Sequence, residues 1–139
     1  MIALENRIDL ATEYQAMTEH LLRAAEAKGA TAAEVDVDKG TGLSVEVRMD
    51  KVDKLQHHND QNVNITVYFG HRKGVASTGD FSKKALDDTL EAACSIARHT
   101  SEDPFNGLAD RADIATEFPK LDLYHPWELD TEQAIEMAL

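Results

Sequence analysis

Three runs of alternating apolar and polar residues constrain the fold of this chain more than any other feature. The runs are Glu34–Asp38, Leu43–Met49 and Val63–Phe69. A period of two sends successive side chains to opposite faces of a strand, so each run predicts a strand with one apolar face. The glycine-containing segments Lys39–Gly42 and Gly70–Gly74 predict tight turns between antiparallel neighbours. The sequence therefore predicts an antiparallel sheet with one buried face.

Two amphipathic helices flank the predicted sheet. The first has an apolar stripe at helical spacing, formed by Leu10, Tyr14, Met17 and Leu21. Gly29 supplies the left-handed residue that commonly ends such a helix. The second has a stripe formed by Leu86, Leu90, Ala93 and either Ile96 or Ala97. Either Asp80 or Ser82 can cap its amino terminus.

These elements predict one domain with two layers. The segment Val52–Asp60 is a candidate further strand, with His57–Asp60 as a polar link after it, which gives a sheet of about four or five strands. Both helices can cover the same apolar face. The expected fold class is α+β: a two-layer, mainly antiparallel sheet covered on one face by two helices, within residues 1–100.

The remainder of the chain has a different character. Residues 101–130 lack periodicity and form a predicted connecting segment that contains Pro and aromatic residues, among them Phe105, Phe118, Tyr124 and Trp127. So many rings predict a segment that packs on something. Asp130 and Gln133 resemble a capping pair, so residues 131–139 should begin a helix. No helix-ending signal follows, and we expect this helix to lead into a further domain that the chain lacks.

Composition excludes several classes of partner. The formal net charge of −12 disfavours direct binding to nucleic acid or to an anionic membrane, because both require clustered positive charge. The first residues lack the apolar core of a signal peptide, and no later run is long enough for a membrane span. The single cysteine, Cys94, lies in the apolar stripe of the second helix and is expected to be a core residue. These features favour the cytoplasm.

The residues contain no complete catalytic or metal-binding motif. None of the six histidines is followed by glutamate, and the adjacent pair His57–His58 would point to opposite faces of an extended chain. Gly40 and Gly42 precede a strand, whereas a dinucleotide fingerprint precedes a helix. Ser77-Thr78-Gly79 lacks the first glycine of a nucleophile elbow. We expect no catalytic residue, no metal ligand and no cofactor in this chain.

Two neighbouring groups are candidates for contacting a substrate or partner. The turn His71-Arg72-Lys73 is the one basic cluster on an acidic background, although charged hairpin tips often serve only solubility and edge protection. Ser77, Thr78 and Asp80 follow at a strand-to-helix link, where ligands often bind. Helix capping accounts for Asp80 equally well.

Three longer runs carry a family resemblance. Gly42–Arg48, Ile65–Asp80 and Asp103–Asp110 are similar to the amino-terminal domain of the TldD/PmbA family. The run Leu121–Trp127 resembles the PmbA branch, which is also called TldE and is described as a modulator of DNA gyrase. The resemblance covers nearly the whole chain.

The resemblance implies a cytoplasmic metallopeptidase complex of two subunits, a heterodimer. A TldD-type partner would hold zinc through a His-Glu-x-x-x-His helix, while the PmbA-type subunit lacks that motif. Substrates would be unfolded peptides, including microcin precursors and antitoxins. The isolated chain could also pair with itself as a homodimer. The alternative function is an acidic interaction module that modulates DNA gyrase or its inhibitors without proteolysis, since a charge of −12 suits a basic target.

Overall fold

A computed structural model describes residues 4–110, 112–117, 119, 121–123, 125, 127 and 129–139, with side chains described from Thr12 onward. The elements in chain order are α1 (Leu4–Ala27), β1 (Ala32–Arg48), β2 (Lys51–Phe69), β3 (Arg72–Thr78), α2 (Lys83–His99) and α3 (Thr131–Ala138). The three strands form one antiparallel sheet in the order β1-β2-β3. The predicted α+β class is confirmed.

The predicted turn at Lys39–Gly42 and the predicted link at His57–Asp60 are both wrong. These segments pair with each other inside one ladder that runs from Ala32 opposite Tyr68 to Arg48 opposite Lys51, with a shift of register between Glu46 and Val47. The sheet therefore has three strands rather than four or five. A Cβ atom at Gly42 would overlap the present position of the His58 imidazole ring on the paired strand.

The chain reverses between β1 and β2 at Met49 and Asp50. Their φ angles are 51° and 57°, so both residues are left-handed, as a two-residue type I′ hairpin turn requires. Asn-Gly is the usual sequence of such a turn, and its absence hid the reversal from pattern analysis. Because β3 pairs only with Val63–Phe69, residues 39–62 continue beyond the three-stranded part as a two-stranded ribbon, here called the hairpin arm.

The core lies between one face of the sheet and the helices α1 and α2. Val63, Ile65 and Val67 are fully buried at its centre. The helices contribute Leu21, Ala25, Leu86, Leu90, Ala93, Cys94 and Ala97. Burying an aliphatic side chain of this size stabilises the fold by about 1.5–3 kcal/mol relative to leaving it exposed. The prediction that Cys94 is a core residue is confirmed, and burial raises the pKa of its thiol.

The predicted helix ends are also found. Gly29 has a φ angle of 87° and follows α1. Ser82, one of the two candidates, is the N-cap of α2, and its hydroxyl accepts a hydrogen bond from the amide of Ala85 at 3.4 Å. At α3, Asp130 and Gln133 form the reciprocal hydrogen bonds of a capping box.

The helix α3 lies against β1, and the Nε2 atom of His57 is 3.4 Å from the Thr131 hydroxyl at its first turn. In the part of the chain that the structure describes, no helix is both long enough and apolar enough to cross a membrane.

The connecting segment does not bury the aromatic rings that are described. Phe105 is 94% exposed and Trp127 is 71% exposed, so neither ring packs on the described residues. Phe118 and Tyr124 lie outside the described residues. The apolar face of the sheet is already filled by α1 and α2.

An ion pair and a hydrogen bond join the end of α1 to α2. The ammonium group of Lys28 donates a hydrogen bond to the carboxylate of Glu91. Arg98 donates to the backbone oxygen of Lys28 at 3.0 Å and lies 4.9 Å from the centroid of the Phe69 ring. The hydrogen bond and charge of Glu91 raise the pKa of Lys28, and those of Lys28 lower the pKa of Glu91. These contacts therefore join the end of α1, α2 and β2.

Replacing Gly74 with alanine should destabilise the fold strongly. A Cβ atom at Gly74 would overlap the backbone oxygen of Ala93 and lie 2.5 Å from the amide nitrogen of Ala97, so α2 would have to move away from β3. We expect the free energy of unfolding to fall by about 1–3 kcal/mol, as overpacking does, measured by urea denaturation. Gly40→Ala is the matched control, because no heavy atom lies within 4 Å of its Cβ position. Equal shifts for the two variants would contradict this account.

Replacing Glu91 with glutamine should destabilise the fold only within a window of pH. The folded pKa of Glu91 is lowered, so its contribution exists above its unfolded pKa and disappears as pH falls through the folded value. The folded pKa of Lys28 is raised, so its contribution disappears as pH rises past that value. Urea denaturation should therefore separate Glu91→Gln from the parent near pH 7, and the difference should vanish as the pH falls below the folded pKa of Glu91. A pH-independent difference would argue against the pair.

Candidate functional site

His71 joins the hairpin between β2 and β3 to the chain that follows α2. It occupies a two-residue turn with Gly70, whose φ angle is 63°. Its Nδ1 atom is 3.0 Å from the backbone oxygen of Asn106, and because a carbonyl oxygen only accepts, this nitrogen carries the hydrogen. The backbone oxygen of His71 accepts from the amide of Asp103 at 3.2 Å. The structure thus brings together two of the runs that carry the family resemblance.

Arg72 and Lys73 begin β3 and point to opposite faces of the sheet. The Nε atom of Arg72 is 3.3 Å from a carboxylate oxygen of Glu102, and its guanidinium also donates to the backbone oxygen of Arg98 at 3.4 Å. These contacts hold the chain at the end of α2. Lys73 lies on the second face of the sheet, where its ammonium group is 5.9 Å from the centroid of the Tyr68 ring.

Thr78 and Asp80 form a chain of hydrogen bonds between β3 and α2. The Thr78 hydroxyl accepts from the amide of Asp80 at 3.1 Å, and the Asp80 carboxylate accepts from the amide of Ser82 at 2.8 Å. The hydrogen bond from the Ser82 backbone lowers the pKa of Asp80. Ser77 is exposed on the second face, opposite Asn64 in the ladder. Asp80 therefore has a structural role, because it joins the end of β3 to the start of α2.

The six predicted contact residues do not converge on one point. His71, Arg72 and Lys73 lie at the start of β3, whereas Ser77, Thr78 and Asp80 lie at or beyond its end. Seven residues of strand span about 20 Å at roughly 3.3 Å per residue, so a small ligand cannot contact both groups. An extended chain could contact both.

A feature that sequence reasoning did not find is the outer edge of β1. Among the described residues this strand pairs with β2 only, so every second backbone amide and carbonyl points away from the sheet. Beside the start of β1, a groove of about 210 Å³ runs between the strand and α1, lined by Leu22, Glu26, Ala30, Thr31, Ala32 and Ala33. Alternation indicates a strand but cannot indicate whether that strand lies at an edge.

The acidic residues of β1 share one face. Glu34, Asp36 and Asp38 alternate with Val35 and Val37, which face the helices. All three carboxylates are exposed. None of them forms an ion pair with a described side chain. The edge of β1 therefore presents an unneutralised row of negative charge.

The hairpin arm has another open cavity, of about 420 Å³, where it meets the chain before α3. Its lining includes His57, His58 and Leu129. Among the described residues, no group of three or more histidine, cysteine or acidic side chains is arranged to hold a metal ion.

Sequence comparison connects these features to one family. The profile described as PmbA/TldA metallopeptidase domain 1 matches residues 33–97, which span the sheet and most of α2. The chain is 43% identical over 112 residues to a protein named Metalloprotease PmbA homolog from Haemophilus influenzae, covering 81% of this chain and 25% of that protein. It is 46% identical over 106 residues to Metalloprotease PmbA from Escherichia coli O157:H7, covering 76% and 24%. The chain thus spans about a quarter of these curated relatives.

Solved structures share the fold. A protein from Bacteroides thetaiotaomicron described as a modulator of DNA gyrase superposes with a TM-score of 0.79 at 26% identity, covering 99% of this chain and 30% of that one. TldE from Thermococcus kodakarensis superposes with a TM-score of 0.65 at 19% identity, covering 76% and 24%, and at that identity it shows the fold alone. With the profile match and the two PmbA relatives, the predicted resemblance is confirmed: the chain belongs to the PmbA/TldD metallopeptidase family, as its first domain.

Proposed function

We propose that this chain is the amino-terminal domain of the PmbA/TldE-type subunit, the one without zinc, in a cytoplasmic metallopeptidase complex. The observation that carries the proposal is the identity of 43% and 46% to proteins named metalloprotease PmbA. Its substrates are unfolded peptides that the complex degrades or matures, with microcin precursors and antitoxins as the expected examples.

Catalysis belongs to the partner in this proposal. A TldD-type subunit holds the zinc ion, which polarises the scissile carbonyl and activates water when bound. The part of this chain is to hold an extended substrate by main-chain pairing along a sheet edge, a mode that binds peptides with little regard to sequence. The free edge of β1 supports this role, since its backbone groups face outward.

The predicted contact residues have two roles in this proposal. Lys73 and Ser77 lie on the second face of the sheet and can contact a substrate or the partner subunit directly. His71, Arg72, Thr78 and Asp80 already bond to the protein itself, so they act by holding the two ends of β3 in place.

A chimaera tests the proposal. In a full-length PmbA relative, the matching part, about 25% of its length, is replaced by this chain. Mixed with a TldD-type subunit, the chimaera should restore cleavage of an unfolded peptide, followed by mass spectrometry, and a zinc chelator should abolish that cleavage.

Two controls accompany the chimaera: each subunit incubated alone, and a PmbA relative from which the matching part is deleted. Restoration of cleavage by the chimaera but not by the deletion supports the domain's role. Chelator-insensitive cleavage by this chain alone, or full activity of the deletion, would refute it.

The alternative is an interaction module that modulates DNA gyrase or its inhibitors without proteolysis. It is favoured by the formal charge of −12 and by the structural neighbour described as a modulator of DNA gyrase. An association driven by exposed charge must weaken with salt, because the screening length falls from about 10 Å at 0.1 M to about 3 Å at 1 M.

The alternative predicts that a column carrying this chain retains gyrase at low salt and releases it as ionic strength rises. A variant with the carboxylates Asp110, Asp113 and Glu117 replaced by their amides should elute at lower salt than the parent, because it carries three fewer negative charges. Retention that is insensitive to salt, or no retention, would exclude this mode.

A further inference from the structure

The outer edge of β1 between Ala32 and Asp38 has three properties that together specify a ligand. The first is its free backbone. Because β1 pairs only with β2, alternate amides and carbonyls on the other side have no strand partner among the described residues. An added strand would satisfy them with regular hydrogen bonds, as in recognition by strand addition.

The second property is the space beside the edge. The groove of about 210 Å³ between α1 and β1 is lined by Ala30, Ala32, Ala33 and Leu22, which is 39% exposed, together with Glu26 and Thr31. Its walls therefore combine apolar and polar groups. A strand added at the edge would direct every second side chain toward the α1 side of the sheet, and near Ala32 and Ala33 such a side chain would enter this groove, where a small or medium apolar group can contact Leu22 and Ala30.

The third property is the negative charge on the face of β1 that points away from the helices. The remaining side chains of an added strand would lie about 5 Å from Glu34, Asp36 and Asp38, the distance of directly opposed cross-strand neighbours. These carboxylates are exposed and have no cationic partner among the described residues. Lysine or arginine at alternate positions would neutralise the row, whereas acidic residues would be repelled.

The hairpin arm also has free edges, but its charges are mixed. Arg48, Lys51 and Lys54 accompany acidic residues there, and Lys54 is 3.8 Å from Glu46 on the paired strand. No uniform row of one sign is available, and no groove beside α1 accompanies the arm. Selective recognition is therefore assigned to the first half of β1.

We propose that this edge binds an extended peptide in which lysine or arginine residues alternate with small apolar residues. The inference rests on the proposed function for its setting, the handling of unfolded peptides, and it narrows the substrate class to cationic segments of that pattern. The strong negative charge of the whole chain would assist the encounter at low salt.

The binding test uses the chain and a labelled peptide of sequence Lys-Val-Lys-Val-Lys-Val-Lys, measured by fluorescence anisotropy. A peptide of the same composition with its four lysines and three valines in separate blocks should bind about tenfold more weakly. The alternating Glu-Val peptide should show no binding. Equal affinity of the alternating and blocked peptides would overturn the proposal.

N-methylated peptides test strand pairing itself. Methylation of the lysine amides or of the valine amides blocks one of the two edges of the peptide strand. One set should abolish binding while the other is tolerated, because only one edge faces β1. Binding that survives both sets would reduce the interaction to charge attraction and overturn the proposal. This comparison needs no protein variant.

A matched pair of variants tests whether the carboxylates of β1 bind the peptide. Glu34→Gln/Asp36→Asn/Asp38→Asn should raise the Kd about tenfold. The control, Asp110→Asn/Asp113→Asn/Glu117→Gln, changes three exposed carboxylates after α2 and removes the same net charge. It should leave the Kd within about twofold of the parent at 0.15 M salt, where distant charges are screened. Equal losses in both variants would overturn the assignment, and near-ultraviolet circular dichroism checks that each variant is folded.

These binding results are independent of the chimaera experiment. Loss of chelator-sensitive cleavage with intact peptide binding would refute the subunit assignment and leave the edge site standing. Restored cleavage without peptide binding would refute the edge site and leave the subunit assignment standing.

Discussion

The packing of the central strand against two helices is the interaction on which the rest of the structure depends. Val63, Ile65 and Val67 are fully buried, and side chains of both α1 and α2 meet them. The contact requires α2 to approach β3 so closely that only glycine fits at position 74. Both helices therefore commit their buried side chains to this face of the sheet.

That commitment decides which surfaces remain. The edge of β1, the second face of the sheet and the hairpin arm are the parts of the sheet that α1 and α2 leave uncovered. Residues that bond to the scaffold, such as His71 and Asp80, set the geometry of the uncovered surfaces from outside the core. Among the described residues, edges and loops are therefore the surfaces that the helices leave available for contact with other chains.

Local patterns predicted the elements, whereas long-range pairing decided their number. The cap at Asp130 and the left-handed Gly29 are determined by a few neighbouring residues, so the sequence identified them, and it narrowed the cap of α2 to Asp80 or Ser82. Gly40 and Gly42 looked like a turn because glycine breaks strands in isolation. In the folded chain Gly42 lies under the ring of His58, sixteen positions away, and no local window contains that contact. Strand order also depends on pairing between distant positions, so the sequence could not predict that β1 lies at a free edge.

The carboxylates along β1 also disfavour pairing of this edge with the same edge of a second copy. Antiparallel pairing of two β1 edges about a twofold axis near Asp36 would oppose Glu34 and Asp38 of one copy to acidic residues of the other, and directly opposed like charges destabilise a ladder. Charged side chains are a common protection of natural sheet edges against such association. The same row attracts a strand of opposite charge, so a single set of residues both suppresses self-pairing and favours a cationic peptide. An edge protected by proline or by a bulge would suppress pairing with a second copy and pairing with a peptide alike. An edge protected by carboxylates suppresses only the first, so it can remain selective for a cationic strand.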